Sequence, residues 1–359
     1  MSAIRLVAFA VVLALSAGCP PAASGASGGG TGASGGGAGA GGGGAAGGGQ
    51  SGGGAGGAAG GSSGGGSAGG GAAGGGSADG GVEGVELMTA LAGLWQGAAT
   101  QTPLGSFPQM TVDFRPVGGT FLFGQTETDS ANSLRFGFSI ETYGGRDVLA
   151  YRNGGYFQGV LRDTRTALQS VDPVSRTYQF CAVPQGCGYL DARWRLDTAD
   201  QLTFDVKVRG AQHLLWTAVR KQTRAVPSPF PSTLASQGDG SRPWPTLGTV
   251  RANVSWSAPL SKQATVWVQL STTPCAPTFQ CFPSRLFSST VDAGVTQVSM
   301  TLRDVHAGSY STFAVVDRNQ DLATTHAAGS GDGIATDQPL TVPDAGEGLV
   351  TLPVTYEVP

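Results

Sequence analysis

The chain has 359 residues, with 24 acidic against 21 basic side chains, a formal net charge of −3, and 61 glycines. That balance leaves no basic surface for nucleic acid, so no nucleic-acid partner is expected. Much of the glycine lies in one early tract, and the remainder from Val85 to Pro359 is long enough for two modest domains.

Arg5 charges the N-terminus, and Leu6 to Leu15 form an unbroken apolar run too short for a comfortable membrane span. Small residues then lead through Leu15-Ser16-Ala17-Gly18 into Cys19. This segment resembles the lipobox of bacterial lipoproteins. The resemblance implies a signal peptide over residues 1–18, its removal, and acylation of Cys19 by chains such as palmitate. An ordinary secretory signal is the alternative, and both readings export the chain. Buried acyl chains contribute roughly 0.8 kcal/mol per methylene, so three would anchor the protein durably in membrane lipid. The expected location is the bacterial cell envelope, at the outer membrane or cell surface.

Residues 19–84 follow as the lipidated cysteine and a Gly/Ala/Ser tract with hardly any charged or large apolar side chains. Such a segment buries too little surface to offset its backbone entropy and is expected to be disordered. As a Gly-rich coil its root-mean-square span is on the order of 40 Å. Glycine does not recur at a strict period of three, which excludes collagen.

Residues 85–224 open with a helical face at Val85, Met88, Leu91 and Leu94, then change to strand alternation. Phe121 and Phe123 alternate with Leu122 and Gly124; Phe136 and Phe138 with Arg135 and Gly137; Leu202, Phe204 and Val206 with polar neighbours. Turn signals at Gly118-Gly119, Gly144-Gly145, Asn153-Gly154-Gly155, Asp172-Pro173 and Asp197 to Asp200 separate eight to ten antiparallel strands. Such a pattern fits a barrel or a sandwich.

Gly93-Leu94-Trp95-Gln96-Gly97 at the first strand resembles the Gly-x-Trp signature of the calycin superfamily, which includes lipocalins, fatty-acid-binding proteins and nitrobindins. The resemblance implies an antiparallel β-barrel closed at one end by Trp95, with Arg220 or Lys221 of the last strand packed on its ring. Phe121, Phe123, Phe136, Phe138, Tyr151 and Phe204 then become candidates to line a cavity for a small apolar ligand, although a filled core needs the same residues. Gln212-His213-Leu214-Leu215-Trp216 is similar to the last strand of nitrobindins, which implies haem with His213 as proximal ligand. Alternation leaves open whether His213 or Leu214, Trp216 and Ala218 face inward.

A Pro/Ser-rich stretch at 225–244 reads as a linker to a second domain over 245–359. Val250, Ala252, Val254 and Trp256 alternate with polar residues, and similar runs recur at 265–270, 297–302, 309–316 and 349–356, suggesting a small β-sandwich. Leu302-Arg303-Asp304-Val305-His306-Ala307-Gly308-Ser309-Tyr310, followed by Asp317-Arg318-Asn319-Gln320-Asp321, resembles transthyretin-like or carboxypeptidase-regulatory-like modules of bacterial surface proteins. Asp317, Asn319 and Asp321 offer alternate oxygens suited to calcium, with Asp332 as a distant fourth. Leu322 and Ala328 stand where an EF-hand requires Gly and Glu, and a solvated turn is the competing reading.

Apart from Cys19, the cysteines form two local pairs, Cys181 with Cys187 and Cys275 with Cys281. In an exported chain these are expected disulfides, each contributing about 2 kcal/mol. With no nucleophile elbow, zinc-protease helix or phosphate loop, no enzymatic activity is expected. Glu127 and Asp129 share a strand face without any sign of desolvation. The sequence therefore points to an all-β, lipid-anchored envelope protein that binds a small apolar ligand, or to a structural or protein-interaction lipoprotein with a filled barrel and an envelope protein partner.

Overall fold

Leu87, Met88 and Leu91 fall on one side of a helical turn and are fully buried, which fixes the entry helix α1 (Glu86–Leu91). Leu94, read as part of that face, lies instead in the first strand. The computed structural model describes residues 82–102, 105–127, 133–155, 164–231, 244–275, 282–325 and 328–359. The signal segment, Cys19, the tether up to residue 81, Asp129 and Cys281 lie outside the described residues.

Ten strands follow α1: β1 (Gly93–Gln101), β2 (Gly105–Val117), β3 (Phe121–Thr126), β4 (Leu134–Tyr143), β5 (Arg146–Gly155), β6 (Arg165–Asp172), β7 (Thr177–Ala182), β8 (Gly186–Thr198), β9 (Gln201–Val208) and β10 (Ala211–Thr223). Each pairs antiparallel with its sequence neighbour, and β1 closes on β10 from Gly93 opposite Thr223 to Gln101 opposite Leu214. The result is a closed barrel, in which no strand edge is left open. Gly144 (φ 58°) and Gly145 (φ 78°) supply the two positive torsions of a tight hairpin between β4 and β5. The Asn153-Gly154-Gly155 signal does not turn the chain. Those residues continue β5, and Gly154 serves a close approach described below.

One face of the strands builds a single core of Phe114, Phe136, Phe138, Tyr151, Phe180, Trp194, Phe204 and Trp216, with Leu and Val around them. Trp194 and Phe204 stack with centroids 3.8 Å apart, and Phe138 meets Tyr151 at 5.0 Å. Gly124 belongs to this packing, because a Cβ there would lie 2.4 Å from the Phe114 ring.

After the barrel come β11 (Gly248–Ser255), β12 (Ala264–Ser271), β13 (Arg285–Val291), β14 (Gln297–Val305), β15 (Gly308–Asp317), α2 (Leu322–Thr325), β16 (Gly333–Val342), β17 (Glu347–Pro353) and β18 (Tyr356–Glu357). They form a three-stranded sheet, β14-β11-β17, and a five-stranded sheet, β13-β12-β15-β16-β18. Val250, Val254 and Leu352 of the first share a buried cluster with Val266, Val268, Ala314 and Val316 of the second. The protein is thus all-β, a closed ten-stranded barrel with two smaller sheets.

The barrel and the sheets are packed against each other, through a polar junction. Asp113 on β2 receives both Arg115 (2.7 and 2.9 Å) and Arg224 (2.8 and 2.9 Å), and each arginine also reaches Ser284, just before β13. Leu286 N–H donates to the Glu127 carbonyl at 2.6 Å, and Arg285 Nη1 to the Thr126 carbonyl at 2.7 Å. Arg135 pairs with Asp304, and Gln125 donates to the Asp304 carbonyl. Phe123 meets the edge of His306 at 5.4 Å, and Arg115 lies 5.1 Å over Tyr310. The segment read as a linker ends in a docked residue: Trp244 packs on Phe121, Phe123 and Arg152 of the barrel wall.

Candidate functional site

The barrel is sealed at the α1 end by a set of local contacts. Trp95 is fully buried and donates from Nε1 to the Leu91 carbonyl at 2.8 Å. The Arg220 guanidinium sits 4.5 Å over its ring and donates to the Ala90 carbonyl at 2.6 Å and the Ala92 carbonyl at 3.3 Å. One arginine therefore satisfies carbonyls at the helix C-terminus, favours that end of the dipole, and covers the indole. Gly93 makes the closure fit, since a Cβ there would approach the Gln222 carbonyl at 2.7 Å.

Of the candidate lining residues, Phe136, Phe138, Tyr151 and Phe204 belong to the barrel core. Phe121 and Phe123 do not. Leu122 and Gly124 take the inner face of β3, and the two phenylalanines turn outward to Trp244 and His306. Both faces of β3 are buried, so alternation alone could not separate them. His213 lies half-buried at a register shift of β10, while Leu214 and Trp216 beside it belong to the barrel core. Of the two arrangements that alternation left open, the one with Leu214, Trp216 and Ala218 inward is adopted.

Inside the core three fully desolvated donors, Tyr151 O–H, Trp194 Nε1–H and Trp216 Nε1–H, meet no acceptor among the described residues. Asn153, two residues along β5 from Tyr151 and so on the same face, has an Oδ1 in the same state. Burial is the one cause of the raised Tyr151 pKa, with no charged neighbour contributing to it among the described residues. In the sequence Trp216 counts only as an apolar candidate for the interior and Trp194 carries no signal, because alternation does not register an indole N–H.

The junction carries several strong electrostatic perturbations. Burial alone would raise the Asp113 pKa, but the charges and hydrogen bonds of Arg115 and Arg224 outweigh it and hold the carboxyl well below the usual range. Glu127 is buried as well. Burial pushes its pKa up to about 8, against hydrogen bonds from backbone N–H groups, including that of Thr111, and the charge of Arg285. Its Oε2 accepts the Thr111 N–H at 2.9 Å, while Oε1 meets no donor among the described residues. The burial of Glu127 is thus a property without a signal in the sequence. Burial, helped by Arg115, pushes His306 down to about 3.

In the β15–β16 connection Asp317, Asp321 and Asp332 bring one carboxylate oxygen each within 4.8 Å of one another. Asn319, two residues from both Asp317 and Asp321, accepts the Asp321 N–H on its Oδ1 at 3.2 Å. Asp317 accepts Asp321 and Leu322 N–H groups, and Asp332 accepts those of Arg318 (2.9 Å) and Gly329 (2.7 Å). The three acids can hold a hard cation such as calcium, and the oxygens of Asp317 and Asp332 already organise the turn. Cys181 is bonded to Cys187 across the β7–β8 hairpin, with Cα atoms 4.4 Å apart. Cys275 is disulfide-bonded to a partner outside the described residues.

No protein-family model matches the chain, and no curated protein matches it. Among solved structures it is similar to a redesigned beta barrel at 16% identity and a TM-score of 0.18, covering 37% of this chain and 94% of that one. Among the described residues no helix is long and apolar enough to cross a membrane.

Proposed function

We propose that this is a lipid-anchored protein of the cell envelope that holds a small apolar molecule inside its barrel, with the two-sheet unit as a contact module. The observation that carries the binding reading is the inner wall: a closed ten-stranded barrel whose aromatic core contains donors that meet no acceptor among the described residues. Eight strands already enclose a space that side chains can fill, and ten enclose more. The calycin-like Gly93-x-Trp95 motif and its Arg220 partner support the same reading. The lipobox-like segment ending in Cys19 supports the anchor, and the Gly-rich tract a tether that presents the folded part away from the lipid.

A second reading is a filled barrel that acts as a scaffold for protein contact. It is favoured by the 3.8 Å stack of Trp194 on Phe204 and by the absence of room for a Cβ at Gly124. Native mass spectrometry of the purified protein separates the two. A bound small molecule, or displacement of an apolar dye, is the result expected of a binding barrel. Repeated preparations that are empty and take up no apolar probe would leave the scaffold.

A further inference from the structure

Resting on the reading of the barrel as a binding site, we infer that its ligand is a neutral, flat, carbonyl-bearing molecule, recognised by Tyr151, Trp194 and Trp216 together. The three side chains share one aromatic cluster: Tyr151 meets Trp194 at 5.6 Å, Phe136 meets Trp194 at 5.9 Å, and Phe136 stacks on Trp216 at 6.5 Å. Each is at most 2 % exposed, and the Tyr151 hydroxyl and both indole N–H groups meet no acceptor among the described residues. A native core rarely leaves one buried donor unmet, because each forfeits its hydration for nothing. Three in one aromatic cluster mark where acceptor oxygens belong.

The chemistry of the donors narrows the class. Indole N–H can only donate, so the complementary groups are oxygens with lone pairs. No charged neighbour among the described residues contributes at Tyr151, and burial pushes its hydroxyl pKa well up, so this hydroxyl stays protonated. A carboxylate would enter without a counter-charge and pay its full desolvation. A ketone or quinone oxygen pays far less. Asn153, with its own unmet Oδ1, extends the polar set by a neutral amide that can accept a hydroxyl hydrogen. Stacked and edge-on rings supply the remaining attraction for a flat molecule.

The test compares three tricyclic probes on the full-length protein by calorimetric titration: 9-fluorenone, its hydrocarbon counterpart fluorene, and fluorene-9-carboxylate. Fluorenone is expected to bind roughly ten-fold or more tightly than fluorene, with the carboxylate weakest. Tyr151→Phe and Trp194→Phe are each expected to weaken fluorenone roughly three- to ten-fold while leaving fluorene unchanged. The fluorene arm reports a misfolded variant separately. Equal binding of ketone and hydrocarbon, or variants that shift both alike, would overturn the inference and leave an apolar binding barrel standing. Binding of none of the three would remove the barrel reading itself, the donors then being met by buried water.

Discussion

Trp244 occupies the space that a side chain at position 154 would take: a Cβ on Gly154 would lie 2.7 Å from its ring, and one on Gly137 2.8 Å. The Arg152 guanidinium lies 4.2 Å over the same indole. Two glycines on neighbouring strands therefore form a socket for the residue that leads into β11. Gly154→Val is expected to expel the ring and cost about 2–3 kcal/mol, and Trp244→Ala a similar amount. Urea unfolding followed by circular dichroism checks both. A double variant no worse than either single one would show that they act on one contact.

Asp113 is 2 % exposed and carries two arginines that bridge the barrel to the sheets. Removing the acid leaves two buried cations facing each other. Asp113→Ala is expected to cost about 3–5 kcal/mol, the usual penalty for breaking a buried ion pair from one side. Adding Arg224→Met should recover part of that loss, since one of the stranded charges is then gone. Chemical denaturation midpoints of the single and double variants measure the coupling. A strictly additive double variant would deny the network.

Glu127 and His306 set opposing pH dependences at the same junction. For Glu127 the folded pKa is raised to about 8, so the folded state holds a proton that the unfolded chain has released. Stability falls as pH rises from the ordinary carboxylate range towards 8. For His306 the folded pKa is lowered to about 3, so the folded state binds fewer protons up to the ordinary histidine range. Stability there rises with pH until about 6.5. Asp113, with its lowered pKa, adds stability that is lost only in acid. Between about 6.5 and 8 Glu127 acts alone among these three, and the melting temperature is expected to decline across that window. Glu127→Gln should flatten the decline, and a variant that keeps the wild-type slope would assign it elsewhere.

The barrel was legible in sequence because its signals are local: alternating apolar residues, paired glycines at turns, and Gly93 with Trp95 ahead of a basic last strand. Leu202, Phe204 and Val206 alternate with polar residues and reached the correct face. Phe121 and Phe123 did not, because β3 is buried on both sides and period two carries no information about which side is the core. The junction was illegible for a related reason. Asp113 and Arg224 are 111 residues apart, and their partnership is a product of closure. Asn153-Gly154-Gly155 shows the limit of turn signals: glycine marks a close approach as readily as a reversal.

Asp332 closes the β15–β16 connection by accepting the Arg318 and Gly329 backbone N–H groups while fully buried. Burial and, to a lesser degree, the neighbouring Asp317 and Asp321 raise its pKa, while the two backbone donors work against that shift. Asp332→Ala leaves both donors without acceptors and is expected to cost about 2–3 kcal/mol, read from the thermal or denaturant transition. Asp332→Asn keeps one carbonyl oxygen and removes charge from a crowded site, so its loss should be smaller. The calcium expectation is read on the same variants. A bound ion requires that wild-type protein melt higher in calcium than in chelator and that Asp332→Asn lose most of this difference. Identical melting in the two buffers would leave Asp317 and Asp332 as turn-formers, whose oxygens accept the backbone N–H groups of Arg318, Asp321, Leu322 and Gly329.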